Sequence, residues 1–250
     1  TRHIGGGGVN TAVSLARLGF DTAALVKTGS DRNAEDVIGR LERENVSRDF
    51  LISDATLATG SSVLLSSHER NAGIFTARGA NTALLPGDLA DEVFERDLVF
   101  ISGLSNESAD CFPHVIGKAS AAGARVATNP GIRQLSSRTD EFFACLDRIS
   151  ILTLNRVESE QLVPRLIADG SADQRTVISP AGDPASLVDR GLVAGGFNLP
   201  FDSYVRAITS LGVDMLLVTN GRDGAYVGTA DAIWHCTVPS VEVAGTAGAG

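Results

Sequence analysis

Apolar positions along this chain follow two rhythms. From Asp97 onward, short apolar runs (DLVFISG, ARVATN, RISILTLN and DMLLVTNG) each end on a polar residue or a glycine. Helix-like stretches lie between and beside them, around 108–122, 138–147, 156–168 and 201–210. Alternating strands and helices predict a parallel sheet covered on both faces. Ligands of such sheets bind beyond the carboxyl ends of the strands, which is where Asn129, Asn155, Thr219 and Asn220 fall. Before Asp97 the pattern is more broken. Gly5–Gly8 open a helix over Val9–Leu18 that stops at Gly19; a strand follows in TAALVKTG, then a helix over Asn33–Asn45. Two alternating runs, GSSVLLSS and AGIFTA, are separated by His68-Glu69-Arg70-Asn71 and predict a β-hairpin within 59–77. Its weak apolar pattern suits a flap better than a core strand. The stretch 169–200 is rich in Gly, Pro, Asp and Ser and is expected to be an irregular insertion in a single α/β domain spanning 1–250.

Composition narrows the function classes. A length of 250 residues with 43% hydrophobic content supports a substantial core. No apolar run approaches the roughly 18 residues that span a bilayer, so no membrane partner is expected. The formal net charge of -9 argues against nucleic acid, whose binders carry a basic face. Cys111, Cys145 and Cys236 are far apart with no CxxC spacing. That suits buried thiols in a reducing cytoplasm better than disulfides or zinc. The four histidines are scattered, so no His-based metal site is expected.

The candidate chemistry is phosphate binding. Gly248, Ala249 and Gly250 follow a strand-like stretch, Val238 to Val243, where a strand would hand over to a helix. Their backbone N–H groups can approach an anion closely. No GxxxxGK[ST] is present, which excludes a P-loop, and neither glycine cluster completes GxGxxG.

The ordered set GGGGVNTAVSLARLG, GSD, RGAN, TNPG, LNRVE, VTNGRDGA and GTAGAG resembles the ribokinase-like carbohydrate kinases of the phosphofructokinase B type. The resemblance implies a three-layer α/β/α sandwich with a mainly parallel sheet and a small β lid. It implies transfer of the γ-phosphate of ATP to a sugar hydroxymethyl group, with Mg²⁺ and, in many members, a monovalent cation. Carried over by motif, Gly6, Gly7 and Asn10 would hold the sugar. Asn155 and Glu158, one helical turn apart, would organise Mg²⁺ through water and orient the triphosphate. Thr219 and Gly221 would lie along the nucleotide phosphates, and Gly248, Ala249 and Gly250 would form the anion hole. A homodimer through the lid is a further implication.

Each assignment has a plainer alternative. Asn10 could cap its helix, and Glu158 could complement the helix dipole. Thr219 and Gly221 could belong to a hairpin turn, since NG and DG are turn signals. Arg133, just after TNPG, could reach a phosphate or simply meet solvent. The chain also departs from the family pattern. Gly245 stands where DTxGAGD has its first Asp, which bears on the monovalent cation. The catalytic Asp is expected one position after Gly250, and the opening strand before Thr1. A nucleoside kinase of the same fold and a catalytically inactive sugar- or nucleotide-binding sensor are the competing readings.

Overall fold

The computed structural model describes residues 3–66, 72–172 and 186–239. Contacts divide the chain into two compact units. The first takes in residues up to Arg96 together with Leu104–Lys118, and the second Asp97–Gly103 with the described residues from Ala119 onward.

In the first unit, α1 (Gly7–Arg17) buries Val9, Ala12 and Val13 on one face. They form a small core with Ala24, Leu41 and Val46. The predicted strand in TAALVKTG is realised as β1 (Val26–Thr28), which pairs in parallel with β2 (Leu51–Ser53), while Ala23 adds an isolated parallel bridge to Ser47. Between them runs α2 (Arg32–Arg43), capped by Asp31, whose carboxylate accepts the Ala34 N–H at 3.0 Å. The same carboxylate accepts the Thr59 N–H at 2.8 Å. The GSD motif therefore joins a helix start to the foot of the next hairpin. That hairpin, β3 (Ser61–Ser66) and β4 (Ala72–Ala77), pairs antiparallel with Val63 opposite Phe75 and Leu64 opposite Ile74. Its apolar side chains are exposed on both faces. At its other foot, the Ala80 N–H donates to Ala58 O at 2.9 Å.

The second unit holds a six-stranded sheet. It comprises β5 (Leu98–Ile101), β6 (Arg125–Thr128), β7 (Ile151–Asn155), β10 (Met215–Thr219), β11 (Ala225–Gly228) and β12 (Ile233–Cys236). The order is β12-β11-β10-β7-β6-β5. The four strands from β5 to β10 run parallel, whereas β10, β11 and β12 pair antiparallel. Leu152, Leu154, Leu216 and Val218 are buried at its centre. Its helices are α4 (Gly131–Ser137), α5 (Thr139–Phe143), α6 (Arg156–Ala168) and α8 (Phe201–Ser210), while most of α3 (Cys111–Ala121), between β5 and β6 in the chain, belongs to the first unit. Helices α6 and α8 pack on the central strands with Leu162, Val163, Tyr204 and Ile208. The arrangement is the expected α/β architecture with a mainly parallel sheet.

Two expectations are corrected. The stretch 169–200 is not irregular where it is described. It forms α7 (Leu187–Arg190) and a hairpin of β8 (Leu192–Ala194) with β9 (Phe197–Leu199). Gly195 and Gly196 turn this hairpin with φ of 59° and 81°, the positive pair a two-residue primed turn requires. Leu187, Leu192 and Leu199 are fully buried, and β8 packs on α6. The thiols are not all buried either. All three cysteines are free, Cys111 and Cys145 inside, but Cys236 is exposed on the edge strand β12.

Candidate active site

Two parallel strands of the second unit, β7 and β10, end on residues that the motif reading selected, Asn155 and Thr219. Asn155 closes β7 and caps α6: its side chain accepts the Glu158 N–H at 2.9 Å, while Glu158 Oε2 accepts the Asn155 N–H at 2.8 Å. This reciprocal box satisfies two donors that a helix start leaves open. Asn129, at the end of β6, steadies the pair. Its Nδ2 donates to Thr153 O at 2.8 Å and lies 3.5 Å from Glu158 Oε2. The Glu158 carboxylate is thereby held, mostly buried, at the positive end of α6. Asn155 is exposed. Its Oδ1 is committed to the cap, which leaves the Nδ2 amide as its donor for a ligand.

Thr219 closes β10 and stands directly opposite Asn155 in the parallel ladder. The chain then turns through Asn220–Gly224 into β11, with Thr219 also paired to Ala225. Gly221 opens the single 3-10 turn at Gly221–Asp223. The hairpin alternative for Thr219 and Gly221 is thus realised, at the strand edge where a ligand would bind. Asn155, Glu158 and Thr219 come together at one edge, with Gly221 two residues beyond.

The turn is tied down by groups that the motif reading missed. Asp223 Oδ2 accepts the Tyr226 O–H at 2.5 Å and the Asn220 Nδ2 at 3.1 Å. The His235 ring stacks on Tyr226 with centroids 4.4 Å apart, and its Nε2 lies 2.7 Å from Asp223 O. Burial alone would raise the Asp223 pKa, but hydrogen bonds from Tyr226 and Asn220 and the nearby His235 hold it below the ordinary carboxylate value. The only sequence signal for this network is the DG step within NGRDGAY.

At the first unit's glycine run, Gly6 precedes α1 with φ 97° and ψ 137°, and no side chain caps the helix. That conformation suits only glycine, and nothing lies within 4 Å of where its Cβ would be. Gly7 is the first helical residue. Asn10 is exposed in the first turn, its N–H bonded to Gly6 O at 2.9 Å. Because Gly6 holds the cap position, the capping alternative for Asn10 is not realised. Arg133 is exposed on α4. Gly245, the Val243 end of the last strand-like stretch, and Gly248, Ala249 and Gly250 lie outside the described residues. Val238, the start of that stretch, is described and is not in a strand.

Among the described residues, no three His, Cys, Asp or Glu side chains converge to hold a metal. That excludes an all-protein cage there. Mg²⁺ in general needs no such cage, since it keeps several waters and binds through phosphate oxygens and one or two carboxylates. The Glu158 carboxylate lies buried at this strand edge, at the start of α6.

Comparison with known proteins bears on the family and the fold. A ribokinase of Mus musculus is 30% identical over 167 residues, which cover 66% of this chain and 50% of that protein. The chain therefore spans about half the length of that relative. A ribokinase of Staphylococcus aureus (strain COL) is 23% identical over 252 residues, covering 98% of this chain and 70% of the relative. Among solved structures, an E. coli protein described as a ribokinase II, in complex with ATP and Mg²⁺, superposes with a TM-score of 0.72. At 17% identity, it covers 97% of this chain and 72% of its own, and the two share a fold. The profile of pfkB family carbohydrate kinases matches residues 1–188. Since that match takes in both the glycine entry to α1 and the Asn155–Glu158 cap, the chain belongs to the pfkB family of carbohydrate kinases.

Proposed function

We propose that this chain belongs to an ATP-dependent sugar kinase. The observation that carries the reading is the register placing Asn155 beside Thr219, with Glu158 locked at the helix start behind them. In this reading a sugar hydroxymethyl oxygen forms a bond to the γ-phosphorus. The bond from that phosphorus to the β–γ bridging oxygen breaks, and ADP leaves. The hydroxyl proton passes to a carboxylate, which the family pattern puts directly after Gly250.

Each residue then has a task. Gly6 and Gly7 let the sugar lie against backbone, and the Asn10 amide bonds its hydroxyls. Thr219 and Gly221 line the nucleotide phosphates. By motif, Gly248, Ala249 and Gly250, which lie outside the described residues, are the anion hole of this reading. When bound, Mg²⁺ supplies charge neutralisation on the triphosphate, and Glu158 orients it through water. A cytoplasmic location accords with the free cysteines. The family resemblance also allows a monovalent cation and a homodimer formed through the β3–β4 hairpin.

The test is ADP release by the full-length protein with Mg²⁺ATP and a panel of sugars and nucleosides. Sugar-dependent turnover is expected. Turnover with nucleosides alone would move the assignment to a nucleoside kinase. Tight ligand binding with no turnover across the panel would replace the enzyme by a sensor.

A further inference from the structure

Tyr226 is a buried, multiply bonded group near the strand edge, yet it belongs to no family motif in this chain. It is 1% exposed. Its hydroxyl donates to Asp223 Oδ2 at 2.5 Å, accepts the Leu187 N–H at 3.2 Å and lies 3.2 Å from Ser186 Oγ. Its ring packs edge-on against Phe201 at 5.0 Å and stacks on His235 at 4.4 Å. One hydroxyl thus joins two elements distant in sequence. The first is the turn after β10. The second is the segment Ser186–Leu187, which begins α7 and leads into the β8–β9 hairpin.

That second element also reaches the helix carrying Glu158. Arg190 of α7 lies 3.6 Å from Glu160 of α6, and β8 packs on α6. A Cβ at Gly195 would come within 3.1 Å of Pro164, so the hairpin turn sits tightly on α6. The segment Ser186–Leu199 is therefore a brace between the Asn155–Glu158 helix and the Thr219–Gly221 turn.

We infer that Tyr226 is a positioning residue for the nucleotide, holding the 220–224 turn through Asp223 so that Thr219 and Gly221 are preset for the phosphates. This rests on the kinase reading above. Its physical basis is that a turn of polar residues and glycines has many accessible conformations, and fixing them before binding lowers the ordering cost on binding. The hydroxyl-to-carboxylate bond is charge-assisted and shielded from water, which puts it among the stronger kinds.

The experiment compares the full-length protein with its Tyr226→Phe variant, which keeps the ring and loses only the hydroxyl. ATP and sugar KM are measured separately, Mg²⁺ATP binding is read by calorimetry, and amide exchange is followed over residues 215–228 and 151–168. The expected result is an ATP KM and Kd raised about tenfold, the size of one lost charge-assisted hydrogen bond. Sugar KM should stay within about twofold, and exchange should accelerate in the turn but not in α6. Ser186→Ala, which removes one neighbour of the hydroxyl together with the cap on the Val188 N–H of α7, should move the same quantities in the same direction by less. Wild-type protein that binds Mg²⁺ATP, with a Tyr226→Phe variant that binds equally well, would overturn this inference alone. Equal loss toward ATP and sugar would also overturn it, marking a purely structural tyrosine. Wild-type protein that binds no Mg²⁺ATP would overturn the kinase reading and this inference with it.

Discussion

Asn155 and Glu158 cap one another across the first turn of α6, each side chain accepting the other's backbone N–H at 2.9 and 2.8 Å. The arrangement is a stabilising device in its own right, and the charge on Glu158 is separable from it. A glutamine at 158 can accept the same N–H bond but carries no charge.

Glu158→Gln is expected to keep the cap and lose the metal-orienting carboxylate. Its melting temperature should fall by no more than about 2–4 °C, the shift that about 1 kcal/mol produces in a domain this size. Turnover with Mg²⁺ATP should fall about a hundredfold, with weaker dependence on Mg²⁺ concentration, if the carboxylate acts electrostatically on the phosphates. Steady-state kinetics beside a thermal melt decide this. Full activity in a stable variant would reduce Glu158 to a helix cap.

At the glycine entry, Asn10→Ala should weaken sugar without touching nucleotide. Asn10 is exposed and does not occupy the cap position, which belongs to Gly6. Alanine favours the helix, so stability should hold or rise slightly. Losing amide hydrogen bonds to sugar hydroxyls should raise sugar KM by about tenfold or more. An unchanged sugar KM would remove Asn10 from the acceptor site.

The β3–β4 hairpin shows Val63, Leu65 and Phe75 on one face and Leu64 and Ile74 on the other, all exposed. A two-stranded ribbon apolar on both faces is poorly suited to water. One face over the sugar and the other against a second copy would satisfy both. Phe75→Asp is expected to convert a dimer into a monomer in light scattering, or to abolish sugar binding if its face is the inner one. A wild-type protein that is monomeric at micromolar concentration would refute the dimer.

Asp31 makes the first unit acid-sensitive. Its carboxylate accepts N–H groups from Thr59 first and then Ala34, with the Thr59 hydroxyl also contributing, and these hold its pKa below the ordinary aspartate value. A lowered folded-state pKa means that the stabilisation is present above the unfolded value. It is lost as pH falls through the range below about 4. Acid unfolding followed by circular dichroism should therefore be shallower for Asp31→Asn than for wild type over that range, with the two curves running parallel near neutrality. Identical acid limbs would contradict the assignment.

How much of this was legible along the chain follows from the range of the interactions. The four parallel strands and the helix starting at Arg156 were readable because apolar runs and capping signals act over a few residues. The Asn155–Glu158 pair belongs with them: spacing alone placed both on one turn. The β8–β9 hairpin had a local signal too, the Gly195-Gly196 step, but a composition rich in turn residues masked it. β11 and β12 left too little apolar alternation to register as strands, and the antiparallel edge of the sheet appeared only once β10 supplied a partner.

What the sequence alone determined is the order of the elements and the identity of the groups that end each strand. Backbone propensity, capping and hydrophobic period are properties of neighbours. Only the tertiary structure decided which of those strand ends meet. Thr219 and Asn155 are far apart in the chain and become partners through the parallel register of β10 on β7. Tyr226 reaches Ser186 and Asp223 from a position that no local pattern marks. Pairing between distant segments depends on how the buried faces of α6, α8 and the sheet fit together, and that fit is a property of three-dimensional packing.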